Sequence, residues 1–176
     1  MSLHSLALGA LRGLVADRRP PDQTIGGPDR PYMLRWYVIP HNRFINIYLH
    51  RFLRSDDDRA LHNHPWSWNL SWMLDGAYRE VVPADEATPA GDTLTFLRRE
   101  GSVHLRRGGA FHRIVLLHTA GVPRRELPVW SLFITGKKVR TWGFACPQGF
   151  KDWKDFTGFR KQGHGNEVGP GCGDDE

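Results

Sequence analysis

The chain has little cysteine and no long apolar run. Two cysteines, Cys146 and Cys172, stand among 176 residues, too few for a disulfide framework, and Cys172 lies in a glycine-rich tail. Two unpaired thiols in a reducing, cytoplasmic compartment are the simpler expectation. No stretch approaches the roughly 18 apolar residues that span a bilayer, so no membrane segment is expected. The first residues lack the charged lead and clean apolar centre of a secretion signal, because His4, Gly9 and Arg12 interrupt them. Charge of one sign is not concentrated either. The net charge is +5, but the basic residues are scattered and broken by acids such as Asp56, Asp57 and Asp58, which argues against a nucleic-acid partner. No internal repeat is visible, and the length suits one domain of about 100–150 residues with tails rather than two cores.

What the chain does have is nine histidines and seven tryptophans. Residues 2–16 place Leu3, Leu6, Leu8, Leu11, Leu14 and Val15 at mostly helical spacing behind Ser2, a possible cap, which predicts a short amphipathic helix. Residues 18–31 hold four prolines and two glycines, a connection that separates this helix from everything downstream. From Tyr32 the pattern changes to the alternation of strands: 32–39, 44–53, 61–65, 69–74, 77–82, 93–98, 103–107, 112–118, 130–135 and 138–144. Short strands with no helix between them predict an all-β antiparallel sandwich or barrel. Asp75-Gly76 carries two-residue hairpin chemistry between the strands on either side, and Thr135-Gly136-Lys137 links the last two strands. After Pro147 an aromatic segment (Phe150, Trp153, Phe156, Phe159) is expected to cover the sheet. Residues 1–31 thus read as helix and linker, 32–160 as one domain with its covering segment, and 161–176 as a polar, disordered tail.

Five of the histidines fall between positions 50 and 112: His50, His62, His64, His104 and His112. His62 and His64 matter most, because residues two apart on a strand share a face and present two imidazoles to one metal ion. The pair comes just after the acidic turn at Asp56–Asp58 and precedes Pro65, which ends a strand. His4, His41, His118 and His164 carry no spacing signal.

This spacing resembles the two motifs of the cupin superfamily. In the first, His62-Asn63-His64 is followed at the usual glutamate position by Asn69 and at the glycine position by Gly76. In the second, Gly101, Gly109 and His112 match, and Arg107 stands where proline is usual. The resemblance implies a double-stranded β-helix, or jelly roll, with a metal inside its mouth held by His62, His64 and His112, and it allows a homodimer through a sheet edge. Asn69 offers at most a weak neutral oxygen or a supporting contact. The ligand set is therefore similar to that of three-histidine cupins, of which the thiol dioxygenases are the best known.

A neutral ligand set leaves the metal's charge uncompensated and favours an anionic substrate. The expected function is a non-haem Fe(II) dioxygenase, an oxidoreductase acting on a small anionic molecule; imidazole also suits zinc, nickel, manganese and copper. A non-catalytic ligand-binding or sensing cupin, or a metal-assisted isomerase or hydrolase with His50 or His104 as base, are the alternatives. The substrate-pocket candidates are Trp66, Trp68, Tyr48, His50, Arg51 and His104, with Arg35 or Arg51 as a carboxylate clamp. Trp36, Trp72, Trp130 and Trp142 are expected to fill the core.

Overall fold

A computed structural model of the chain describes residues 2–27, 29–56, 60–159 and 170–173. Helix α1 (Leu3–Leu11) is capped by the Ser2 side chain, which accepts from the Ser5 amide, and it widens into a π-helical turn at Arg12–Ala16. Twelve strands are present among the described residues: β1 (Gln23–Ile25), β2 (Met33–Tyr37), β3 (Asn46–Phe52), β4 (Leu61–His62), β5 (Trp68–Asp75), β6 (Ala77–Pro83), β7 (Thr93–Arg99), β8 (Val103–Arg107), β9 (Arg113–Leu116), β10 (Val129–Thr135), β11 (Gly143–Cys146) and β12 (Gly149–Asp152), with a short α2 (Trp153–Phe156).

The pairing defines the topology. Strand β3 pairs antiparallel with β10, β5 with β8 and β6 with β7, while β4 meets β9 through the bridge between His62 and His112. The chain is thus one long antiparallel ribbon whose successive rungs alternate between two layers. One layer has the order β1-β2-β3-β10-β5-β8; the other joins β12-β11-β4 to β7-β6-β9 at the histidine bridge. A ribbon coiled in this way is a double-stranded β-helix.

Period-two alternation decides what each layer buries. On β10, Val129, Ser131, Phe133 and Thr135 are buried while the residues between them are less so. The inward positions at one end of the barrel, Met33, Phe52, Met73, Tyr78, Ile114, Leu116 and Val129, form one packed cluster. The opposite face of the first layer is also apolar, and α1 with its π-helical turn covers it: Ala7, Leu8 and Leu11 of the helix and Val15 of the turn pack over Trp36, Leu49, Trp72, Leu74 and Trp130. Three of the tryptophans expected in the barrel core therefore fill the helix–sheet interface, with Trp36 stacked on Trp130 at 5.6 Å.

The turn at Asp75-Gly76 is present, with Gly76 at φ +78°, but it does not close a hairpin. β5 and β6 lie in different layers, so the turn carries the ribbon across the barrel. A Cβ on Gly76 would come within 2.8 Å of Val129 Cγ1, which adds a steric reason for glycine to its backbone angle. Strand β1 lies inside the segment read as a linker and pairs with β2. The last expected strand, 138–144, starts at Gly143 as β11, because the stretch before it folds back on Pro65, whose carbonyl accepts from the amides of Val139 and Arg140. The covering segment packs through Phe156 on Phe144, stacked at 3.6 Å, and Trp153 on Trp142, stacked at 5.5 Å.

The expectation of two unpaired thiols is overturned. Cys146 and Cys172 form a disulfide, and the backbone at Gly171 is tied to Phe156 and to the Lys151 ammonium. The ground for a reducing compartment falls with the pair. The remainder of the expected tail, 161–169 and 174–176, lies outside the described residues. No helix among the described residues is long and apolar enough to cross a membrane.

Candidate metal centre

The histidine bridge that joins the second layer builds the site. The amides of His62 and His112 each donate to the other's carbonyl at 2.9 Å, which sets both side chains at one point of the barrel. His64 is fixed by its amide donating to the Gly108 carbonyl at 2.8 Å. Asn63 between them is structural: its backbone and its Oδ1 both bond Gly143 at 3.0 Å. One ring nitrogen from each of His62, His64 and His112 falls in a group within 4.8 Å of one another, and among the described residues no carboxylate joins that group.

The donor set fits a transition-metal ion. Nε2 of His64 and Nε2 of His112 are 2.8 Å apart, close to the roughly 2.9 Å expected for two nitrogens at right angles on one ion about 2.0–2.1 Å away. Burial holds His62 and His64 in the neutral form that binds metals. It lowers the His62 pKa to about 4, with the nearby Asp56 only partly opposing, and it pushes His64 well below the ordinary imidazole value, helped by the neighbouring rings and by Arg106 and Arg35.

Two carboxylates stand behind the rings. Glu80, on β6 and fully buried, accepts from Nδ1 of His112 at 2.9 Å and from Nε of Arg98 at 2.7 Å, and pairs with Arg106. The bond to Nδ1 places the proton there and leaves Nε2 of His112 as an acceptor, its lone pair directed at Nε2 of His64. Burial alone would raise the Glu80 pKa; the His112 hydrogen bond and the surrounding positive charge outweigh it and hold the group below the usual carboxylate range. Asp56 accepts from the Ile114 amide at 2.7 Å and lies 3.8 Å from Nδ1 of His62.

The three rings open into a cavity of about 800 Å³ whose wall includes Trp66, Phe133, Trp142 and Trp153, within the size range of small-molecule sites. Trp66 stacks on His64 at 5.3 Å, and Trp142 stands 6.3 Å from His62, so this tryptophan is a wall of the cavity rather than barrel filling. His50 also lines the cavity, buried, with Nε2 accepting from Arg35 Nε at 2.9 Å.

The other candidates stand elsewhere. Trp68 projects from the opposite face of β5 toward Gly136. Arg51 lies on the helix-covered side of the sheet, over Trp130. Tyr48 backs the wall, packed against Trp66 and Phe133. His104 faces inward on β8 opposite Ser71, outside the cavity wall. Asn69 is fully buried opposite Thr135 and Arg106, but it is neither in the donor group nor on the cavity wall. Glu80 was not singled out in the sequence, although it occupies an inward position between Tyr78 and Val82, where a charge needs partners.

No family model matches the chain, and no curated protein does. Among solved structures it is similar to a Klebsiella pneumoniae protein with a double-stranded β-helix domain, at 12% identity over 67% of this chain and 88% of that one, with a TM-score of 0.45. A cupin domain from Bordetella pertussis matches at 15% identity over 63% and 99% of the two chains, TM-score 0.42. The strand pairing of this chain is that of a double-stranded β-helix. A serine-to-alanine mutant of the oxalate decarboxylase from Bacillus subtilis matches at 16% identity and a TM-score of 0.47, over 73% of this chain and 30% of that one. The fold assignment rests on that strand pairing alone.

Proposed function

We propose that the chain is a metalloenzyme that holds one divalent transition-metal ion, Fe(II) by preference, on His62, His64 and His112, and that it oxygenates a small anionic organic substrate. The observation that carries this is the neutral donor set: three imidazoles and, among the described residues, no carboxylate with them. Such a set leaves the ion's charge to be balanced from outside the protein, which favours an anionic substrate. Fe(II) held there supplies Lewis acidity and the electrons for dioxygen chemistry.

The chain's own residues do the rest. Glu80 keeps the proton on Nδ1 of His112 and fixes the ring's orientation. Trp66, Phe133 and Trp142 exclude water from the space before the rings, which strengthens electrostatic interactions inside it. An isomerase or hydrolase with a histidine base is less well supported, since the free electron pair of His50 is engaged by Arg35 and His104 stands off the cavity.

The test is spectroscopic and kinetic. The nitric oxide complex of the Fe(II) protein should change its electron paramagnetic resonance spectrum when an anionic ligand such as cysteine is added, and a turning-over substrate should consume oxygen. An unchanged spectrum across a panel of thiolates and carboxylates would sink the proposal.

A further inference from the structure

The cavity holds a cation that the histidine site does not use. Arg35 reaches into it from β2, half-buried, with its guanidinium 4.8 Å above the Tyr48 ring. Its Nε donates to Nε2 of His50 at 2.9 Å and its Nη1 to Oε1 of Gln23 at 3.0 Å. All three partners are neutral, and among the described residues no carboxylate pairs with it. The contrast with Arg98 and Arg106 is direct, because those two share Glu80. A cation taken out of water ordinarily acquires an anion. Loss of solvation already lowers the Arg35 pKa. His50 adds a second donor: with Nε2 accepting, its proton sits on Nδ1 of a ring that lines the same wall.

Between Arg35 and the metal-site histidines the wall is aromatic. Phe133 lies 5.1 Å from the His50 ring and 5.7 Å from the His64 ring, and Trp66 lies 5.6 Å from Phe133. These rings form the wall between Arg35 and His64.

We propose that Arg35, flanked by His50 and Gln23, is a carboxylate-binding subsite, so that the substrate is a carboxylic acid whose apolar body lies along Phe133 and Trp66 and spaces the carboxylate from the reacting group. The position of the reacting group rests on the metal-site function proposed above; the subsite does not. Guanidinium suits this ligand because it meets a carboxylate in a bidentate geometry.

The test is a pair of isosteric probes, 3-phenylpropionate and 3-phenylpropanamide, titrated into the full-length, metal-loaded protein and followed by tryptophan fluorescence. The acid should bind at least about tenfold more tightly than the amide, as expected for a charged hydrogen-bonded pair. Arg35→Gln should weaken the acid by about tenfold to a hundredfold and leave the amide unchanged. Gln23→Glu, at an exposed edge-strand position, supplies the missing carboxylate from within and should weaken the acid by about tenfold even if Arg35→Gln does not fold. The preference should survive in His62→Ala, which separates the subsite from the metal: a wild type that holds no metal but prefers the acid overturns the metal function alone. Equal binding of acid and amide, no binding of either, or a preference that persists in both the Arg35 and Gln23 variants overturns the subsite.

Discussion

Glu80→Gln is the most informative single substitution. The side chain is wholly buried and meets three partners: the His112 ring, Arg98 and Arg106. Glutamine keeps the size and loses the charge. Two arginine side chains, 21% and 11% exposed, would then face each other and the imidazole with no anion between them. Removing one partner from a buried ionic cluster costs about 3–5 kcal/mol. In a chain of this length each kcal/mol moves the melting temperature by about 2–4 °C, so a fall of roughly 6–20 °C is expected by scanning calorimetry. The proton on Nδ1 of His112 would no longer be fixed by a carboxylate, and affinity for Co(II) or Zn(II), measured by competition with a chromophoric chelator, should fall by about tenfold to a hundredfold. Glu86→Gln, in an exposed turn, serves as the control and should change neither quantity. Glu80→Gln with a melting temperature within about 2 °C of wild type and unaltered metal affinity would refute the role given to this residue.

Two further outcomes are expected from the same contacts. Burial beside Arg35 holds the His50 pKa well below 6.5, so below that pH the unfolded chain takes up a proton that the folded one refuses. Stability of the metal-free protein should fall with pH by up to about 1.4 kcal/mol per unit on account of this group, and the fall should be shallower in His50→Gln; parallel pH profiles of the two melting curves would contradict it. The Cys146–Cys172 bond closes a separation of 26 residues, for which chain entropy gives about 3–4 kcal/mol. Cys172→Ser should show a loss of that order in denaturant unfolding under non-reducing conditions, and an unchanged midpoint would mean that the pair does not form.

The ribbon of strands was legible because period-two alternation is a local property, and nine of the expected strands fall within a few residues of where the chain places them. Which layer each strand joins is not local. Asp75-Gly76 has hairpin chemistry, yet the strands on either side bury their inward faces across the barrel from each other, so the same turn serves as a crossover. Strand β1 was hidden by the prolines and glycines around it, since pairing with β2 is a tertiary gain that composition does not display. Trp36, Trp72 and Trp130 lie on the side of the sheet away from the barrel interior for a related reason: alternation tells that two faces differ, and only the docking of α1 makes the second face apolar. His62 and His64 share a short, specific spacing. Glu80, Arg35 and Trp142 reach the site from separate strands and a loop with no spacing between them to read.

The central claim is that His62, His64 and His112 form one metal site, and elemental analysis tests it most directly. Protein purified anaerobically should carry about one divalent transition-metal ion per chain after dialysis, and His62→Ala and His112→Ala, still folded by circular dichroism, should carry almost none. A wild type that never retains stoichiometric metal, or alanine variants that retain it undiminished, would contradict the account.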